Sequence, residues 1–110
     1  MSYPKFKYWR NKQHLKNVAS LPCQNCGIEG FTQAAHSNMA IHGKGRSIKA
    51  SDEFTVALCS ECHHTLDAGN KLTKEEKQAM WWNAFRNTWL ELLDRNLVVT
   101  DLPIPKQEES

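Results

Sequence analysis

The sequence predicts a small α+β domain in which a strand-strand-helix unit is stapled by zinc, with a basic helix before it and a long amphipathic helix after it. The first observation behind this is a repeated motif. Cys23-Gln-Asn-Cys26 and Cys59-Ser-Glu-Cys62 are Cys-x-x-Cys pairs of equal inner spacing, and they use all four cysteines of the chain. Each short turn aims two thiolates at a common point, so one tetrahedral zinc takes all four. The second observation is the insert of 32 residues between the pairs, longer than the about 15 to 20 of a minimal ribbon. The third is a C-terminal stretch with helical apolar spacing.

At 110 residues and 40% hydrophobic content the chain reads as one domain over residues 1–102, small enough to gain from a metal staple. A structural zinc contributes on the order of 10 kcal/mol to folding. Two disulfides are the alternative use of four cysteines. The N-terminus MSYPKFKYWRNK is basic and aromatic without an apolar segment behind it, so no secretory signal is read there and zinc is preferred. No run approaches membrane-spanning length, and a cytoplasmic location is expected.

In chain order, residues 1–9 read as an extended arm. Asn11 to Ala19 reads as a short helix from the spacing of Leu15, Val18 and Ala19, with Arg10, Lys12, His14 and Lys16 on its open sides. Leu21-Pro22 ends it, and Gly27 closes the first knuckle. Phe31 to His36 is a strand, Ser37 to Ser51 a basic loop without hydrophobic periodicity, and Phe54 to Leu58 the second strand. A helix is expected from near Cys62 to about Ala68, stopped at Gly69-Asn70, so that the core unit spans about residues 21–70. Thr73 and Glu76 match a capping box that opens the last helix, about residues 73–95. Trp81, Phe85, Trp89 and Leu92 form its core stripe, widened by Met80, Ala84 and Leu93. Residues 103–110 have the composition of a flexible tail.

The net charge of +2 hides an asymmetry. Residues 1–51 hold Lys5, Lys7, Arg10, Lys12, Lys16, Lys44, Arg46 and Lys49 against Glu29 alone, a net +7, and the rest of the chain is −5. A polyanion such as nucleic acid would meet the first half. The same pattern also suits a solvated basic face.

If His36 closes the first strand and His63 opens the helix after the second knuckle, the staple brings the two imidazoles face to face. His63 and Asp67 are four residues apart, on one helix face, a spacing that serves a divalent metal. Leu21-Pro-Cys-x-x-Cys-Gly27, Ala35-His-Ser-Asn38, Gly43-Lys-Gly45, Ile48-Lys-Ala-Ser-Asp52 and Cys62-His-x-x-Leu-Asp67 together resemble the HNH branch of the ββα-metal nucleases. They are similar in particular to the small prophage-encoded YbcO-type nucleases and to the catalytic domain of the phage recombination-enhancement nuclease. The resemblance covers roughly Asn11 to Asn70.

That resemblance implies a metal-dependent DNA endonuclease or nickase of phage or prophage origin, acting in recombination or DNA processing. His36 matches the general base, His63 the main helix ligand of the catalytic metal, and Asp67 a second ligand. Asn38 would order the loop or orient His36. The ion would be Mg²⁺, Mn²⁺ or Zn²⁺, separate from the structural zinc. Ala35 offers no donor before the base, and Asp52 or Glu53 stands where the motif's middle Asn is expected. The third ligand is therefore open among Asp52, His64 and His42. Lys44, Arg46 and Lys49 would contact flanking phosphates, with Arg10, Lys12 and Lys16 on the same basic half. His14 and His42 are further basic-face candidates. The expected partners are single- or double-stranded DNA, with RNA not excluded, and a recombination protein by resemblance; the chain would act as monomer or homodimer. A zinc-ribbon module that binds nucleic acid without catalysis is the rival reading. An adaptor working through an exposed Trp81-Trp82 is a third.

Overall fold

Asn11 starts the first helix from an extended backbone, φ −144°, by accepting the N–H of His14 at 2.8 Å, which satisfies one of the donors a helix start leaves free. The computed structural model describes residues 7–100. Among them α1 is Lys12–Ala19, β1 Thr32–His36, β2 Thr55–Cys59, α2 Ser60–Asp67 and α3 Lys74–Asp94. These agree with the expected elements to within a few residues; the expected loop adds one 3-10 turn, Ala40–His42. The expected tail and most of the N-terminal arm lie outside the described residues.

β1 and β2 form an antiparallel hairpin in which Thr32 faces Cys59, Ala34 faces Ala57 and His36 faces Thr55. Side chains of a strand alternate between faces, and the hairpin is covered on both. On one side Ala34 and Ala57 pack with Val18 and Leu21, which flank or lie on α1, and with Leu92 of α3. On the other, Ala35, Val56 and Leu58 pack with Leu66 of α2 and with Trp81 and Ala84 of α3. Every residue of β2 is buried as a result. Each large side chain removed from water here stabilises the fold by roughly 1.5–3 kcal/mol.

The outer edge of β2 is satisfied by neighbours rather than by a third strand. Ala57 donates its N–H to Thr88 Oγ1 at 3.1 Å, and its carbonyl accepts from the Gln24 N–H at 2.8 Å. Unpaired backbone groups in a core are costly, so Thr88 sits in the buried stripe of α3 for its hydroxyl. Leu93, expected to widen that stripe, is 63% exposed, since it lies about 100° round the helix from Leu92, which faces the hairpin. Trp82 faces out while Trp81 is buried, which removes half of the aromatic pair that the adaptor reading needs.

α3 opens as expected. Thr73 and Glu76 form both halves of the capping box. α2 ends at Ala68, after which a Cβ on Gly69 would lie 3.0 Å from Thr65 Cα. Glycine stands there for room, not for a left-handed backbone. Gly27 does need its freedom, with φ +84° in the first knuckle.

Residues 8–11 are strapped to residues 49–52. Trp9 donates its N–H to Ser51 Oγ at 2.7 Å, and Asp52 donates its N–H to the Trp9 carbonyl at 2.9 Å. This strap brings Arg10 and Asn11 to the end of the hairpin.

Candidate functional site

The four cysteine sulfurs converge. All lie within 4.8 Å of one another, and Cys26 Sγ stands 3.8 Å from Cys59 Sγ. Sulfurs about 2.3 Å from one tetrahedral zinc are about 3.8 Å apart, so the cluster could hold a metal ion such as zinc. The first pair comes from the turn after α1, where Gly27 donates its N–H to the Cys23 carbonyl; the second straddles the junction of β2 and α2. Burial would raise the Cys23 thiol, but backbone N–H groups of Cys26, Cys59 and Asn25 bring its pKa down to about 6. Burial pushes Cys62 up to about 12. Four such ligands close a shell and leave no open position for water.

The remaining candidates form two polar clusters, one at the His36 end of the hairpin and one along its α2 face. In the first, His36 Nε2 is 2.8 Å from Asp52 Oδ1, and Arg10 reaches the same oxygen at 3.1 Å. Asn11 donates its N–H to Asp52 Oδ2 at 2.8 Å. Burial would raise the Asp52 carboxyl, yet the hydrogen bonds from His36 and Asn11, the charge of His36 and the Arg10 guanidinium hold it below its usual value. If Nε2–H is given to Asp52, His36 keeps the Nδ1 lone pair, for which no hydrogen-bond partner stands among the described residues.

In the second cluster, His63 Nε2 is 2.8 Å from Asp67 Oδ2, one helical turn on. His63 Nδ1 is 2.8 Å from Gln33 Oε1, and Asn38 donates Nδ2–H to Asp67 Oδ1 at 2.6 Å. If Nδ1 donates to Gln33, Nε2 and a carboxylate oxygen meet as two acceptors. Two acceptors 2.8 Å apart need a proton or a cation between them. Adjacent ligands of one divalent ion, each about 2.1 Å from it, stand about 3 Å apart, so an imidazole and a carboxylate placed like this fit such an ion.

His36 and His63 do not face each other as expected. Gln33 points toward α2, and strand alternation sends His36 to the opposite face, where α1 and the strap hold Asp52. The second cluster runs from Gln33, near the cysteine end, to Asn38, two residues beyond His36, which reaches Asp67. No third His, Cys, Asp or Glu joins His63 and Asp67 within 4.8 Å among the described residues. Of the three candidates for that position, Asp52 is committed to His36 and Arg10, and His64 lines a separate hollow with Glu61, Thr65 and Lys71. His42 is buried, stacked on Phe54 at 4.1 Å and bonded through Nδ1 to Ser37 Oγ.

The basic residues divide similarly. Lys12, Lys16, Arg46 and Lys49 are exposed, and Lys44 donates to its neighbour's carbonyl. Arg10 is taken up by Asp52 and by the carbonyls of Lys49 and Ala50, so it clamps the fold. His14, expected on an open side of α1, is fully buried between Trp9 and Trp89. The sequence reading passed over Gln33, Lys74 and Lys77. The two lysines line a groove of about 270 Å³ together with Asn38, Asp67 and Trp81; their place in the acidic half of the chain hid them, whereas two-residue alternation from Ala35 back to Gln33 was a usable signal.

No helix of the described residues is long and apolar enough to cross a membrane. No curated protein and no solved structure matches the chain. Residues 1–79 match the sequence model of one family, and by that match the chain belongs to the family described as "Protein of unknown function (DUF968)".

Proposed function

We propose that the protein is a metal-dependent DNA endonuclease or nickase of phage or prophage origin, with one structural zinc in the thiolate cluster and a separate divalent cation at His63 and Asp67. The observation that carries this reading is the imidazole and carboxylate held 2.8 Å apart on α2, with Gln33 and Asn38 on their outer atoms. Outer partners of this kind fix a ligand's tautomer and direction. A bound cation there supplies charge stabilisation to a phosphodiester under attack.

The chain's own residues do the rest. Asp52 holds His36 through Nε2, which leaves Nδ1 to take a proton from water as general base. Asn38 ties the strand end beyond His36 to Asp67. Lys44, Arg46 and Lys49 on the loop beside it meet neighbouring phosphates. A role in phage recombination or DNA processing rests on the resemblance in the sequence.

The purified chain, incubated with single-stranded or duplex DNA and Mg²⁺, Mn²⁺ or Zn²⁺, is expected to cut it. Both His36→Ala and His63→Ala should abolish cutting while the fold and the tightly bound zinc remain. Cutting that persists in both variants overturns the assignment.

A zinc-ribbon module that binds nucleic acid without catalysis is the second reading. It is favoured by Ala35, which is buried in the core and offers only a methyl group, and by the two-donor count at His63 and Asp67. Metal counting separates the two: one zinc per chain and no second ion at any metal concentration supports the binder.

A further inference from the structure

We propose that the groove between Asn38, the end of α2 and the start of α3 seats a phosphate of the DNA strand next to the His63–Asp67 cluster, with Lys74 and Lys77 as its charged donors. The inference rests on the nuclease reading above and adds α3 to the strand path. Lys74 and Lys77 are three residues apart on α3 and so share a face. Both line the same groove of about 270 Å³ as Asp67 and Asn38, and neither has an ion-pair partner among the described residues.

Of the neighbouring acids, Asp67 lines the groove with its carboxylate bonded to His63 and Asn38. Glu76 is turned back onto the Thr73 N–H in the capping box, and neither it nor Glu75 lines the groove. Trp81 supplies a second, independent observation. It lines the groove, is 2% exposed, and its indole Nε1–H is buried with no acceptor. Two unpaired ammonium groups in one groove near the positive end of a 21-residue helix mark a place for an anionic oxygen, and the Trp81 N–H is a buried donor in the groove wall still without an acceptor. Met39 and Leu66 complete the wall with apolar surface suited to a sugar. A phosphodiester strand is the anion that would also run past Asp67.

The test uses the full zinc-loaded chain and short labelled DNA, single-stranded and duplex, with affinity measured against salt. Lys74→Gln with Lys77→Gln should lower the slope of log K on log salt by about 1.4 for single strands or about 1.8 for duplex, at roughly 0.7 or 0.9 per phosphate contact. Lys74→Arg with Lys77→Arg should restore it. The charge-matched pair Lys71→Gln with Arg86→Gln, outside the groove, should change the slope by less than half as much. An unchanged slope in the first pair, or an equal loss in the control pair, overturns the groove assignment alone. A wild-type chain that binds neither form of DNA overturns the nuclease reading and this inference with it.

Discussion

Gln33 and His36 leave β1 from opposite faces, Gln33 to His63 on α2 and His36 to Asp52 beside α1. Three residues of strand thus separate two polar clusters that the four-residue spacing of His63 and Asp67 and the position of His36 suggested as one. Sites without shared partners respond additively to mutation, within about 0.5 kcal/mol. The destabilisations caused by Asp52→Asn and Asp67→Asn should therefore sum in the double variant when measured by urea unfolding. A coupling above 1 kcal/mol on the order expected for direct neighbours would show that the clusters act as one.

Asp52 should be the costlier of the two. Its side chain is 3% exposed and holds Arg10, His36 and the Asn11 N–H together. Removing one charge of a buried set costs about 3–5 kcal/mol, and the partly exposed Arg10 brings the expectation for Asp52→Asn to the lower end, about 3 kcal/mol. The pH dependence has a definite sign. The folded carboxyl titrates below its usual value, so its stabilisation is complete above the unfolded pKa, about 3.9, and is lost as pH falls through the lower folded value. Asp52→Asn should flatten the stability profile in that acid window; a profile as steep as the parent's would rule out Asp52 as its source.

Thr88 shows what the sequence could and could not tell. The capping box, the knuckles and the hairpin were legible because each depends on neighbours in sequence or on a short period: Thr73 finds Glu76, and Cys23 finds Cys26. The burial of His14 and His42 and the outward turn of Leu93 depend on which elements pack across the hairpin, which no local spacing records. Thr88 lies on the apolar stripe of α3, yet only the register of β2 reveals that Ala57 needs its oxygen. Thr88→Val keeps the shape and strands that N–H, at an expected cost of about 1–3 kcal/mol. Hydrogen exchange at the Ala57 amide should rise in step. A variant as stable as the parent would mean that the edge finds another acceptor.

His14 offers a second pH signature, in a different window. Buried between Trp9 and Trp89, with Nδ1 lacking any partner, it titrates below its ordinary value because burial disfavours the charged form, partly offset by Asp52. A lowered histidine pKa means that the unfolded chain binds the proton first. Stability should fall as pH drops below about 6.5. His42 shifts the same way through burial. His14→Phe fits the aromatic stack and removes an unpaired polar atom, so it should be neutral or stabilising at pH 7 and should gain relative to the parent at pH 5. Equal losses for the two proteins between pH 7 and pH 5 would count against His14.

Removal of the metal from the thiolate cluster should cost more than any of these substitutions. Cys23 and Cys26 sit after α1, while Cys59 ends β2 and Cys62 lies in the first turn of α2. One ion would therefore tie three elements at the end of the hairpin opposite to His36. The other ties at that end are the Gln24 N–H on the Ala57 carbonyl and Asn25 on the Cys62 sulfur, while Phe31 and Ile28 are exposed. Zinc held by such sites contributes about 10 kcal/mol or more at neutral pH, comparable with the whole stability of a small domain, roughly 5–15 kcal/mol. A strong chelator at pH 7, or Cys59→Ser, should abolish the cooperative thermal transition and reduce helical circular dichroism, and readded zinc should reverse the first but not the second. A chelated chain that keeps its transition would show that the two buried clusters flanking the hairpin hold the fold unaided.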